Sequence, residues 1–172
     1  MSNASISVAQ VADILRVSRD RIEQSISRKV FLPRAFSDPG KPREWSFDEV
    51  MRLAVFFRLT DHGRSMDAKT AGVLTWAGIH GFNDGPAYFV AYIGTPDVWF
   101  GTWASEICRA HDVADLLTRG CEYPKVLEPG RDADTIARNS EKLLGPVYAC
   151  IVINLDEIEK ELKAEWPKAA EA

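Results

Sequence analysis

The stretch Ser7-Val-Ala-Gln-Val-Ala-Asp-Ile-Leu-Arg-Val-Ser-Arg-Asp-Arg-Ile22 decides the reading of this chain. Ser7 is a good N-cap, and Gln10, three residues on, is placed to reach back to the backbone as a capping box. Val8, Val11, Ala12 and Leu15 then recur at helical spacing and make one apolar stripe. Arg16-Val17 is a short connector, and Ser18 is a second N-cap before the helix that runs to Arg28. Two helices this short and this close must pack against each other. In the second, Ile22 and Ile26 mark the buried side. At about 100° per residue this turns Asp20, Gln24, Ser27 and Arg28 outward and leaves Arg21 at the edge.

Working outward, Ser46 with Glu49 at the capping-box position starts a third helix, whose Val50, Leu53, Ala54 and Phe57 face a core and which Gly63 would stop. Between the second and third helices, Phe31 to Trp45 holds Pro33, Pro39, Gly40 and Pro42 with Arg34, Lys41 and Arg43. So many prolines exclude a helix and predict a basic hairpin, the length of a wing. The whole reads as a winged helix-turn-helix. Its candidate DNA contacts are Ser18, Arg19, Arg21, Gln24, Ser27, Arg28 and Lys29 around the second helix, and Arg34, Lys41 and Arg43 on the wing. Gln pairs with adenine and Arg with guanine or phosphate in a major groove, whereas a wing lies on backbone or minor groove. Asp20 opposes phosphate unless it accepts from a cytosine amino group.

This order of elements resembles the winged helix-turn-helix of the MerR superfamily, which includes excisionase-like and phage terminase small-subunit domains. The matching residues are Val11-Ala-Asp-Ile-Leu15, Val17-Ser18, Arg43-Glu-Trp-Ser-Phe-Asp-Glu-Val50 and the helix ending Leu59-Thr-Asp-His-Gly63, within residues 5–77. The resemblance implies duplex DNA binding. Two departures stand out: Gln24-Ser25 replaces the aromatic pair of classical members, and Ala77-Gly-Ile-His-Gly-Phe-Asn-Asp-Gly-Pro86 breaks the chain where they carry a long dimerisation helix.

At 172 residues and 46% hydrophobic, the chain has enough apolar material for one large or two small domains and is not of disordered composition. Its formal charge of −4 excludes a generally basic coat, but residues 16–43 carry eight Lys or Arg against three Asp or Glu. That local excess coincides with the proposed helix and wing, where phosphate contacts need it. No apolar run is long enough for a membrane span. Cys108, Cys121 and Cys150 lack metal spacing and leave one unpaired in any disulfide scheme, so a reducing cytoplasm is the expected location.

The expected organisation is a winged helix-turn-helix over 1–79, a linker over 80–86, an α+β domain over 87–166 and a frayed tail over 167–172. In the second half, Ala87 to Ile93 and Val98 to Ala104 are rich in aromatic and β-branched residues and predict a hairpin around Gly94-Thr-Pro-Asp97. A helix is expected near Val113 to Thr118, a short strand at Val126-Leu127, a helix over Asp134 to Leu144 and a buried strand over Val147 to Ile153. The last helix would start at an Asp156 cap and present Ile158, Leu162 and Trp166 on one side, covering its own sheet or pairing with a second copy. The fold class is α+β with a small antiparallel sheet.

Tyr88, Tyr92, Trp99, Phe100 and Trp103 are candidates for lining a ligand pocket, although aromatics alternating along strands are commonly core. Catalytic chemistry lacks a motif: His62, His80 and His111 sit in no Ser/His/Asp, HExxH or CxxC pattern, and Asp132 and Asp134 follow Gly130-Arg131 as turn chemistry dictates. Cys108 and His111, with Cys121 as a third, would make only an incomplete metal set. The expectation is therefore a sequence-specific transcriptional regulator that is not an enzyme and has no cofactor or metal. Its second half would set dimerisation, a protein partner or an effector response. The alternatives are an excisionase-like or terminase-like architectural DNA-binding factor, and an antitoxin-like or adaptor module that has lost DNA binding.

Overall fold

The computed structural model describes residues 5–34, 42–61, 66–76, 79, 86–94, 103–119, 121–124, 142–145 and 147–171. Its elements are α1 (Val8–Leu15), α2 (Arg19–Ser27), α3 (Phe47–Thr60), α4 (Ala68–Leu74), β1 (Ala87–Gly94), β2 (Trp103–Arg109), α5 (Ala110–Arg119), β3 (Cys121–Pro124), β4 (Lys142–Gly145), β5 (Val147–Asn154) and α6 (Leu155–Glu171). The class is α+β, with most helices N-terminal and an antiparallel sheet of order β2-β1-β5 in the second half.

The N-terminal helices form where their caps place them. Ser7 and Gln10 complete the capping box of α1, and Ser18, Ser46 and Asp67 cap α2, α3 and α4. Ile6 and Trp45 exchange backbone hydrogen bonds of 3.0 and 2.9 Å in an isolated antiparallel bridge. Each is buried and each directly precedes an N-cap, so one bridge ties together the starts of α1 and α3. Trp45, the last residue of the hairpin expected over 31–45, takes Ile6 as its backbone partner. Residues 35–41, including Lys41, lie outside the described residues.

Helix α3 is the axis of the core, buried at every position from Glu49 to Phe57. It ends at Thr60 with Asp61 as its C-cap, so the stop expected at Gly63 comes earlier, and Gly63 itself lies outside the described residues. Glu49 receives the Ser46 cap through its N–H, but its carboxylate turns inward and does not complete a capping box.

In the sheet, Phe89 lies opposite Ile107 and Ile153, and Val90 opposite Glu106 and Val152. The Phe89 face packs on α3, α4 and α6, whereas Val90, Tyr92, Cys108 and Leu116 form a second cluster beneath α5. The second strand of the expected hairpin, read over Val98 to Ala104, is described as Trp103–Arg109, and residues 95–102 lie outside the described residues. Residues 142–145, expected to close a helix, form β4 paired with β3. Strand pairing between segments some twenty residues apart supplies backbone partners that no local periodicity reveals. The expected strand at 126–127, residues 134–141 and Asp132 lie outside the described residues.

Helix α6 starts one residue before Asp156. Asn154 is its cap, the side-chain oxygen accepting from the N–H groups of Asp156 and Glu157 at 3.0 and 3.3 Å, while Asp156 accepts from the Ala87 N–H. The helix also runs through Pro167 to Glu171, past the expected end at Trp166. Ile158, Leu162 and Trp166 are 1%, 2% and 7% exposed, so the stripe covers its own protein and the expected pairing of that stripe with a second copy is excluded. It packs on α1 and α3 as well as on β1, with Trp166 edge-on to Phe47 and Glu161 paired to Arg58 at 2.6 Å. One continuous cluster therefore runs from Ile6 to Trp166, across the boundary expected at 80–86.

Candidate nucleic-acid interface

The turn between α1 and α2 is made by Arg16 in the left-handed conformation, with φ 54° and ψ 41°, after which Val17 N–H closes on the Ala12 carbonyl at 3.0 Å. Ser18 then accepts from the Arg21 N–H at 3.2 Å and α2 begins. Ile22 is fully buried and Ser25 nearly so, its hydroxyl donating to the Arg21 carbonyl. Ile26 is half-buried. Asp20, Glu23, Gln24, Ser27 and Arg28 face solvent, as the spacing of Ile22 and Ile26 requires. Lys29 ends the element with φ 56°, a second left-handed residue that is not glycine.

The proposed DNA contacts divide by what else they hold. Arg21 is engaged: its guanidinium, on a side chain 41% exposed, pairs with Asp61 and lies 4.6 Å over the Phe57 ring, tying α2 to the end of α3. Arg19 is exposed but shares its charge with Glu23 through a 2.7 Å ion pair. Ser18 keeps its hydroxyl proton while capping, and Ser27 donates to the Gln24 carbonyl. Arg34 donates to the Trp76 carbonyl at 2.8 Å, which fixes it to the end of α4. Arg43 is half-buried. Gln24, Arg28 and Lys29 remain, exposed and with side chains in no hydrogen bond or ion pair among the described residues.

Arg16 joins them. Helix periodicity marks it only as a connector, yet it is exposed beside the start of α2, its side chain likewise unengaged among the described residues. The two left-handed non-glycine residues of the described chain thus flank α2, and both are cations. A left-handed backbone costs a residue with a Cβ about 1 kcal/mol or more, and Asn or Gly occupies it at lower cost.

Beneath this surface lies a support that the helical pattern does not predict. Arg52, 1% exposed, donates through Nε to the Thr75 carbonyl at 2.8 Å, through Nη1 to Glu49 Oε1 at 2.8 Å and through Nη2 to the Leu32 carbonyl at 3.2 Å. Its guanidinium lies 5.2 Å from the Phe31 ring centre and 5.4 Å from that of Trp76. Burial lowers its pKa, and the facing Glu49 carboxylate works against that shift. Glu49 also accepts from the Arg34 N–H at 3.1 Å. One buried ion pair therefore clamps the chain leaving α2 to the end of α4. The one signal for it in the sequence is a single cation inside the otherwise apolar run Val50 to Phe57.

The aromatic pocket candidates are not brought together. Tyr88 and Tyr92 share the face beneath α5, Trp103 packs against the opposite face, and Trp99 and Phe100 lie outside the described residues. Cys108 closes β2 and His111 begins α5, so they do not share a helical face. Burial pushes the Cys108 thiol up to about 12, with Glu106 adding to the shift, while His111 is exposed beside Asp112. No group of three potential metal ligands occurs among the described residues, and none of their helices is long and apolar enough to cross a membrane. His62 and His80 lie outside them. No protein-family model matches the chain, and no curated protein matches it.

Proposed function

We propose that this protein binds duplex DNA as a sequence-specific transcriptional regulator, with α2 in the major groove. The observation that carries the reading is the face of α2: Gln24 outward and unengaged, bracketed by the exposed cations Arg16, Arg28 and Lys29. Gln24 has the donor and acceptor pair that reads adenine, and the three cations suit flanking phosphates. Arg21, Arg34 and Arg52 hold the element at its angle instead of touching DNA. Because α6 packs on α1 and α3, a partner or ligand acting on the second half would act directly on the support of α2.

A second reading, a protein-interaction module without DNA binding, is favoured by Asp20 and Glu23 on the same outward face. One experiment separates the two: selection of duplex fragments by the full chain across a salt series, with Gln24→Ala, Arg28→Ala and a combined Arg16→Asn/Lys29→Asn variant. The DNA reading expects Gln24→Ala to change sequence preference at an unchanged salt slope. It expects Arg16→Asn/Lys29→Asn to weaken all duplexes and to flatten the slope of log affinity against log salt by about 0.9 for each phosphate left without its cation. The same double variant should fold at least as stably as the parent, because Asn relieves the left-handed backbone. No duplex binding by the parent, or equal binding by all four proteins, refutes the DNA reading and favours the interaction module.

A further inference from the structure

The sheet has two edges, and the chain treats them differently. At the β2 edge, Ser105 donates to the Leu74 carbonyl, α4 packs alongside, and the strand carries Glu106 and Arg109. The β5 edge differs, although α3 packs against the strand. Val147 to Asn154 runs eight residues without a charge or a proline, and among the described residues no strand pairs with its outer side. Ala149 is exposed, Val152 is 40% exposed and Cys150 is half-buried, so apolar side chains on both faces of the strand reach the open edge.

Edge strands of this length are ordinarily blunted by a charge, a proline or a cover, because their free N–H and C=O groups template another strand. From this β5 edge, unpaired among the described residues, we infer that a second copy of this chain occupies it, through antiparallel pairing of β5 with β5 across a two-fold axis. Four observations favour that occupant. The unmet groups are backbone donors and acceptors, which require an extended segment. A strand without charge meets its own copy without repulsion, and antiparallel pairing of identical strands closes on itself, limiting assembly to two. The resulting six-stranded sheet is of ordinary size. The other apolar stripe available for self-association, on α6, is consumed inside the molecule.

The inference rests on the sheet alone and stands apart from DNA binding. The test is the solution mass of the full chain by sedimentation over a wide concentration range, for the parent, Val152→Lys and Ala149→Lys. The parent should have twice the mass of one chain, and each lysine variant should have the mass of one chain at concentrations where the parent is paired, with unchanged circular dichroism. Hydrogen exchange keeps the test decisive if a variant fails to fold: the amides of β5 in the parent should gain protection as concentration rises. A parent of single-chain mass throughout, pairing undiminished in both variants, or β5 protection independent of concentration overturns the inference, the last meaning that the chain covers its own edge. Pairing without duplex binding, or duplex binding without pairing, tells the two proposals apart.

Discussion

Replacing Arg52 with Met is the sharpest test of how α2 is supported. The substitution keeps an unbranched side chain of similar length and removes every donor. Glu49, 5% exposed, would keep a carboxylate whose only remaining partner among the described residues is the Arg34 N–H, and the carbonyls of Thr75 and Leu32 would lose their Arg52 donors. Stranding one member of a buried pair costs about 3–5 kcal/mol. Of the two carbonyls, that of Leu32 adds less than its full penalty, because Leu32 is about half exposed and water can reach it, whereas that of the buried Thr75 adds to the loss. A loss of about 4 kcal/mol is a large share of the roughly 5–15 kcal/mol that holds a domain together. At a urea dependence of about 2 kcal/mol per molar, the unfolding midpoint should fall by about 2 M. The control is Glu49→Leu with Arg52→Met, which removes the stranded charge and should recover much of the loss, so that the two changes are far from additive. A single variant with the parental midpoint, or a double variant no better than the single, would refute the clamp.

Two further outcomes follow from other parts of the packing. Gly72→Ala should destabilise despite the roughly 1 kcal/mol that Ala gains over Gly in a helix, because its Cβ would sit 1.7 Å from the Val30 carbonyl oxygen. Overpacking costs about 1–3 kcal/mol or more, so the thermal midpoint should drop by several degrees, and an unchanged or raised midpoint contradicts the close approach of α4 to residue 30. Asp67 is held below the usual carboxylate range by the Thr70 hydroxyl and then by the Thr70 N–H. A depressed carboxyl contributes stability that is present above its ordinary range near pH 4 and lost as pH falls through the lowered value. Asp67→Asn caps α4 without titrating, so the parent should lose stability more steeply than the variant on acidification below about pH 4. Parallel pH profiles would remove Asp67 from the account.

What the chain discloses locally is what the structure bears out. Ser7 with Gln10, Ser18 and Ser46 each satisfy an N–H within three residues, and Ile22 needs only helical geometry to be placed inside, so these features are visible in a window of a few residues. The misses share a different origin. Trp45 pairs with Ile6 across 39 residues, Lys142–Gly145 finds its partner in Cys121–Pro124, and Asp156 gives up the cap of α6 to Asn154 because it accepts from Ala87 instead. Among the candidate contacts, composition alone puts Arg21 and Arg34 on the reading surface, yet Asp61 and the Trp76 carbonyl that hold them lie about forty residues away in sequence. Arg16 is invisible to helix periodicity because its exposure follows from a left-handed turn.

The same long-range contacts decide how the two halves act. A helix-turn-helix joined to a second half by a linker alone would transmit nothing through its core. Here Leu155, Ile158, Leu162 and Trp166 complete the core around Val11, Phe47 and Phe57, and Glu161 reaches Arg58 on the helix whose end anchors Arg21. The α6 helix grows without a break from β5, the strand whose outer side no described strand pairs with. A strand added to that edge therefore lies one element away from the packing that orients α2. If α2 reads DNA as proposed, pairing at β5 would fix the spacing and the relative angle of two such helices at once, and half-site spacing is the quantity on which specific recognition by small modules of that kind depends.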